Sequence, residues 1–175
     1  VSVDEFRYIL NTDNLTTKEK LINEFFALNY NHLDDLKLVK DEIAAYLEEE
    51  EDYLLRNLYY ACKSLIALNT AKNIEEAQQF AKKIWDRLEK FDRWYLLDIR
   101  LINTILFIFP IDVAVNIGER ATKQLIPYYN LKEAEVLLIN LDINLSVLLI
   151  ENKKYPEALS YLEKVISLCK KYQKY

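Results

Sequence analysis

The chain has 175 residues, of which 51% are apolar and 13% are aromatic, and its formal net charge is −5. With 1 glycine and 3 prolines, the composition excludes a turn-rich β fold, and its apolar content excludes a disordered chain. The negative charge argues against direct binding to nucleic acid, because phosphate contacts need clustered lysine and arginine.

The start of the sequence, its apolar stretches and its cysteines indicate the cellular compartment. The sequence begins with Val1 and contains no methionine, so we expect it to be part of a longer protein. The first ten residues lack the basic segment of a signal peptide, and no clean apolar stretch reaches the roughly 18 residues of a membrane span. Cys62 and Cys169 form no redox or metal motif, which predicts two reduced, buried thiols in a cytoplasmic protein.

Helix starts are marked by residues that can cap the first amides of a helix. A capping oxygen three residues before an acid occurs in four pairs: Ser2 and Glu5, Thr16 and Glu19, Asn73 and Glu76, and Asn130 and Glu133. Pro156 suits a first helical turn. Together with the apolar spacing, these marks predict helices at residues 3–10, 16–29, 33–48, 53–68, 73–90, 94–109, 112–126, 131–151 and 155–173.

The predicted helices alternate in character. Those at 53–68, 94–109 and 131–151 are apolar nearly all round, whereas the helices that follow them are amphipathic. Such alternation, with a period of about 41 residues, is typical of stacked helical hairpins, and the linkers are short enough to make consecutive helices antiparallel neighbours. The predicted fold class is all-α, with tetratricopeptide-like repeats of stacked antiparallel helix pairs in a right-handed superhelix, and residues 1–175 form a single regulatory domain.

Nothing in the sequence resembles catalytic machinery. His32 is the only histidine, Gly118 is the only glycine, and the cysteines and histidine have no metal-ligand spacing. The acidic run at residues 48–52 is interpreted as a solvated helix junction that favours the start of the next helix. We therefore predict no catalytic residues, no metal, no cofactor and no enzymatic activity.

The best candidate site comes from polar residues within the apolar helices. Asn103 and Asn144 occupy equivalent positions in two of these helices, about 41 residues apart. A carboxamide can donate to a carbonyl and accept from an N–H of one extended peptide backbone. The predicted peptide-binding residues are Asn103, Asn144, Arg100, Asn140, Tyr59 and Phe107, with apolar pockets from Leu55, Phe107 and Leu148. An alternative of equal weight is that the asparagines only bond to each other across the stack.

Two stretches carry a family resemblance: the opening VSVDEFRYILN, and RWYLLDIRLINTILFIFP with Arg100, Leu101, Asn103, Leu106 and Phe107. Together with the helical pairs that follow, they make the chain similar to the C-terminal region of Rgg/MutR-type transcriptional regulators, within the PlcR- and PrgX-like group of peptide sensors. The resemblance implies a cytoplasmic, homodimeric receptor in which Asn103 and Asn144 hold the backbone of a short hydrophobic signalling peptide. It also implies contact with DNA only through an N-terminal helix-turn-helix domain, which we expect to be missing from this chain. Members of the resembled family usually continue with further helices beyond the position of Tyr175.

Two functions follow from these observations. The first is the peptide-pheromone-binding and dimerisation domain of a quorum-sensing transcription regulator. The alternative is a tetratricopeptide-like scaffold that docks a folded protein partner. The sequence upstream of Val1 would discriminate between them, because a helix-turn-helix domain there supports the first.

Overall fold

A computed structural model describes residues 15–71 and 73–172, and no β-strand occurs among them. The described part contains eight α-helices: α1 (Thr17–Ala27), α2 (Leu33–Glu49), α3 (Tyr53–Ala71), α4 (Ile74–Leu88), α5 (Leu96–Ile105), α6 (Ile111–Leu125), α7 (Lys132–Glu151) and α8 (Tyr155–Tyr172). Short 3₁₀ helices follow α5 at Leu106–Ile108 and α6 at Ile126–Tyr128. The prediction of an all-α helical-repeat fold is confirmed. The predicted helix at 3–10 and its cap by Ser2 lie outside the described residues.

Two of the predicted caps form as expected. Thr16 and Glu19 make a reciprocal capping box, with Glu19 N–H donating to Thr16 Oγ1 at 3.2 Å and Thr16 N–H donating to Glu19 Oε2 at 2.8 Å. Glu76 N–H likewise donates to Asn73 Oδ1 at 3.1 Å. Each bond satisfies an amide that the helix itself leaves unpaired.

The predicted cap at Asn130 is wrong. The residue before α7 is Leu131, which makes no side-chain cap, and its N–H donates to Tyr128 O at 2.8 Å. This bond links Leu131 to the 3₁₀ helix that follows α6, and α7 begins at Lys132, one residue later than predicted. At α3 a cap exists where only a favourable acidic run was expected, because Leu55 N–H donates to Asp52 Oδ1 at 2.9 Å.

The chain divides into two compact units, Val1–Phe80 and Ala81–Tyr175, and the boundary falls within α4. The single-domain interpretation of residues 1–175 stays a prediction. In the first unit α1, α2 and α3 pack against one another, and Phe25, Leu36 and Leu58 are fully buried between them. Lys18 on α1 also forms an ion pair with Asp52 at the start of α3.

In the second unit, α7 is the central helix and packs against α5, α6 and α8. Small residues allow the close approach: Ala158 of α8 is 1% exposed, and Gly118 of α6 lies directly against the side chain of Leu145 of α7.

The two thiols differ in environment. Cys62 on α3 is buried as predicted, but the prediction that Cys169 is also buried is wrong, since its side chain is exposed on α8. Ala158, Val165 and Leu168 lie on the side of α8 that packs against the rest of the unit. Cys169 follows Leu168 directly, and one residue turns a helix by about 100°, so its side chain lies on the solvent-facing side.

Candidate functional site

Asn103 on α5 and Asn144 on α7 lie side by side. Nδ2 of Asn144 donates to Oδ1 of Asn103 at 2.9 Å, and both side chains are half-buried. Among the described residues, neither Nδ2 of Asn103 nor Oδ1 of Asn144 has a hydrogen-bond partner. The cross-helix bond therefore exists, and the pair still offers an unused donor group, Nδ2 of Asn103, and an unused acceptor, Oδ1 of Asn144, to a ligand or to water.

Two further predicted residues lie near Asn103 in sequence, one on α5 and one in the 3₁₀ helix that follows it. Arg100 is one turn earlier; it is half-buried and interacts with other residues of the chain. Phe107 is one turn later, in the 3₁₀ helix, and 46% of its surface is exposed. The structure therefore places Arg100 and Asn103 one turn apart on α5, with Phe107 exposed in the 3₁₀ helix that follows.

On α7 the pair is surrounded by exposed aliphatic side chains that sequence analysis did not name. Asn140 is exposed, one turn before Asn144. Around these two amides, Val136, Ile143, Val147 and Ile150 are between 39% and 49% exposed. The sequence signal for these residues is that α7 is apolar nearly all round. Because its three neighbouring helices do not surround it completely, some of its apolar side chains remain exposed. We call the residues Val136, Asn140, Ile143, Asn144, Val147 and Ile150 the open face of α7.

The apolar pockets predicted from Leu55 and Leu148 are not present. Leu55 is fully buried, and Leu148 is 7% exposed. A helix turns by about 100° per residue, so Leu148 lies about 40° from Asn144 on the closed side of α7, whereas Val147 lies about 60° away on the open side. A spacing of four residues could not reveal which side was covered. Of the three predicted pocket residues, only Phe107 is exposed.

Tyr59 belongs to the first unit and takes part in an aromatic cluster there. The ammonium group of Lys63 lies 5.5 Å from the centroid of the Tyr59 ring and 4.4 Å from that of Phe80. Tyr60 stacks on Phe80 with centroids 6.4 Å apart. These are cation–π and stacking distances, so Tyr59 has a packing role within its own unit, and its role as a peptide contact stays a prediction.

The segment before α5 is held firmly by α6. Arg120 donates to Glu89 O at 2.8 Å and Phe91 O at 3.0 Å, and Gln124 accepts from Trp94 N–H at 3.0 Å. The fully buried Trp94 indole donates to Leu88 O at 2.8 Å. This network fixes where α5 starts, and with it the position of Asn103.

Asp98 completes the start of α5. Its carboxylate accepts from Tyr95 N–H at 2.9 Å, and its side chain is 5% exposed. Burial raises the pKa of the Asp98 carboxyl, and the Tyr95 N–H and the charge of Arg87 offset part of that rise. Asp98 is thus the acidic residue that caps the start of α5, a role that was not predicted from the sequence.

Within residues 15–71 and 73–172, no group of three or more His, Cys, Asp or Glu side chains is arranged to hold a metal ion. None of the helices in the described part of the chain combines the length and the apolar character needed to cross a membrane.

Comparison with protein families identifies the class of protein. Residues 36–175 match the family described as HTH-type transcriptional regulator Rgg, C-terminal domain. The match extends over most of the chain, and the chain therefore belongs to the Rgg C-terminal domain family. No curated protein and no solved structure matches the chain significantly. The resemblance seen in the sequence is confirmed.

Proposed function

We propose that this chain is the peptide-binding and dimerisation domain of a cytoplasmic quorum-sensing transcription regulator. A short hydrophobic signalling peptide lies along α5 and the open face of α7, and its occupancy controls a DNA-binding domain outside these 175 residues. In this proposal the chain has no enzymatic activity. Membership in the Rgg C-terminal domain family supports the regulatory role.

The observation that carries the proposal is the Asn103–Asn144 pair. Its remaining donor and acceptor belong to adjacent helices and match the alternating C=O and N–H of an extended peptide. Four exposed aliphatic side chains on α7 surround the pair, and they provide contacts for apolar peptide side chains. In this proposal Arg100 meets a carboxylate of the peptide, and Asn140 adds a second backbone contact.

The test is a titration of the protein with a library of short hydrophobic peptides, followed by repetition with Asn103→Ala and Asn144→Ala. Each substitution removes one backbone contact and leaves the other amide without its cross-helix partner. We expect each to weaken binding of the selected peptide by about 1–2 kcal/mol, or roughly 5- to 30-fold. Asn23→Ala is the matched control, because Asn23 is an exposed asparagine on α1. Unchanged affinity in both variants would remove the proposed backbone contacts.

Dimerisation is supported by an exposed apolar stripe on α8. Tyr155, Leu159 and Ile166 recur at helical spacing and are 60%, 56% and 53% exposed, and an exposed apolar stripe of this kind commonly marks a surface that pairs with another protein surface. Light scattering at high micromolar concentration is expected to give a dimer. Ile166→Glu places a charge on the stripe and should favour the monomer, whereas Lys164→Glu on the same helix serves as the charge control. A monomeric wild-type protein would contradict this part of the proposal.

A further inference from the structure

A cavity of about 510 Å³ lies between the first turns of α7 and the ends of α6 and α8. Both neighbouring helices pack against α7, and each of the three helices contributes a leucine to the lining: Leu125, Leu138 and Leu168. The lining residues all belong to the second unit, so one compact part of the chain holds the whole cavity. Its volume falls within the range of roughly 300–1,000 Å³ that is usual for small-molecule sites.

The apolar lining has a buried part and an exposed part. Leu125 and Ala134 are almost fully buried, whereas Ile126 and Tyr129 are 65% and 69% exposed. The cavity therefore opens to solvent beside Ile126 and Tyr129. An apolar group that enters it removes this surface from water, which is favourable. The lining thus favours a ligand with an apolar body.

Two neutral polar groups also line the cavity, the hydroxyl of Thr122 and the carboxamide of Asn130. Neither side chain has a hydrogen-bond partner among the described residues. Asn130 is available because the cap that the sequence predicted does not form, and Leu131 takes the position before α7. Both groups can donate and accept, so either can hold a neutral polar group such as a hydroxyl.

Charge sets a further limit on the ligand. Glu135 is the charged residue among those that line the cavity, and it already takes part in another interaction within the chain. A ligand carboxylate would be repelled by Glu135, and an ion of either sign would lose its water in an apolar cavity without a partner of its own. The lining therefore favours an uncharged ligand.

We propose that this cavity is a second ligand site, which binds a small neutral molecule with an apolar body and one hydroxyl group. The apolar body lies among the three leucines, and the hydroxyl bonds to Thr122 or Asn130. The cavity shares no lining residue with the open face of α7. Six residues separate Leu138 from Asn144 and turn the helix by about 600°, so the two lie about 120° apart around α7. This inference thus stands independently of peptide binding.

The probe is 2-naphthol, which is uncharged at pH 7, and it is compared with 2-naphthoate, which has the same rings and a negative charge. Calorimetric titration of the 175-residue protein should give saturable binding of 2-naphthol at one molecule per chain. Binding of 2-naphthoate should be at least about tenfold weaker, because a buried carboxylate without a partner is unfavourable. Since 2-naphthol would contact three helices of the folded protein, saturation with it should also raise the unfolding temperature.

Variants on different helices test where the probe binds. Leu138→Trp and Leu168→Trp each place a larger side chain in the lining and should each weaken binding of 2-naphthol at least about tenfold, since the indole occupies volume that the ligand needs. Both leucines are half-buried, so a larger side chain has room to be accommodated. Thr122→Val keeps the shape of the side chain, and Asn130→Ala changes an exposed residue. At least one of these two should weaken binding by about two- to tenfold through a lost hydrogen bond.

Two variants serve as controls. Glu163→Trp adds the same large ring at an exposed position of α8 outside the lining, and Asn103→Ala changes the peptide site; both should bind 2-naphthol as the wild type does. No saturable binding of 2-naphthol, equal affinity for 2-naphthoate, or wild-type affinity in both tryptophan variants of the lining would each overturn the proposal. Wild-type affinity in both Thr122→Val and Asn130→Ala would overturn it too. So would loss of binding in Asn103→Ala, because the probe would then occupy the peptide site.

Discussion

Lys153 follows the end of α7 and has a φ of 60°, in the left-handed region. Lys154 N–H donates to Leu149 O at 2.8 Å and Lys153 N–H to Ile150 O at 3.0 Å, which together form a Schellman motif. Glycine is the residue that this motif favours, because a side chain at positive φ is strained.

Lys153→Gly should therefore stabilise the protein by about 1 kcal/mol, measured as the free energy of unfolding in urea. Lys153→Ala is the control and should have little effect, since alanine keeps the strain. Stabilisation by alanine equal to that by glycine would show that the loss of the lysine charge, and not backbone relief, is responsible.

The buried carboxylate of Asp142 predicts a pH dependence of stability. Its pKa is raised above the ordinary value of 3.8, so between the two pKa values the folded protein binds more protons than the unfolded chain. The stability contributed by the protonated form is fully present below the unfolded pKa and is lost as the pH rises through the folded pKa. Ionisation of Asp142 thus destabilises the fold.

Asp142→Asn keeps the uncharged form at every pH. We expect it to raise the melting temperature at pH values above the folded-state pKa of Asp142, with the gain over wild type shrinking as the pH falls through that raised pKa toward the ordinary value of 3.8. Glu163→Gln, an exposed acid on α8, is the control and should show no such trend. A gain that is constant across the pH series would contradict the assignment to Asp142 ionisation.

At the scale of elements, the crossing of α6 and α7 depends on the missing side chain of Gly118. A Cβ there would lie 2.6 Å from Cδ1 of Leu145, and Leu145 is fully buried. Alanine gains about 1 kcal/mol of helix propensity over glycine, but overpacking a core typically costs about 1–3 kcal/mol. The balance favours a net loss at this crossing.

Gly118→Ala should therefore destabilise the second unit, measured by thermal unfolding. In a double-mutant cycle with Leu145→Val, the shorter side chain makes room, so the cost of the pair should be less than the sum of the two single costs. Additive costs would mean that Leu145 moves aside freely, and that the tight approach of the two helices is not what requires glycine.

Helix positions could be predicted closely because they depend on local signals. The prediction of 33–48 became Leu33–Glu49, and that of 131–151 became Lys132–Glu151, since apolar periodicity and short linkers act within a few residues. The 94–109 helix was predicted too long. It changes to a 3₁₀ helix after Ile105, and the chain then passes through Pro110 into α6, with which this 3₁₀ segment packs.

The candidate site was only partly predictable. The period of the repeat identified Asn103 and Asn144, which do meet, because equivalent positions on stacked helices fall side by side. The repeat period of about 41 residues does not show which side of an all-apolar helix is covered. For this reason the predicted pocket residue was the buried Leu148 and not the exposed Val147. The period also could not reveal the contacts of Arg120 with Glu89 and Phe91, which depend on tertiary approach.

At the scale of the whole molecule, the reaction rates of the two thiols report on local unfolding. Cys62 is fully buried, and burial raises its thiol pKa to about 12, with a small opposing effect of Lys40. Cys169 is exposed. Thiolate is the reactive form, so the two residues should differ widely in rate.

With a thiol reagent at neutral pH, we expect Cys169 to react at once and Cys62 only when the first unit opens. Cys169→Ser should leave a protein that does not react until denaturant is added, and Cys62→Ser should keep the fast phase. Rapid reaction of Cys62 in the native protein would contradict the packing of α3 described above.

The bond between Asn103 and Asn144 has one more consequence. Both carboxamides can turn over together, which exchanges the roles of donor and acceptor while the bond between them is kept. The available N–H then moves from α5 to α7, and the available C=O moves the other way. A strand held by these two groups could thus run in either direction, so its polarity must be imposed by asymmetric neighbours, such as a charged residue one turn away, the position that Arg100 has on α5.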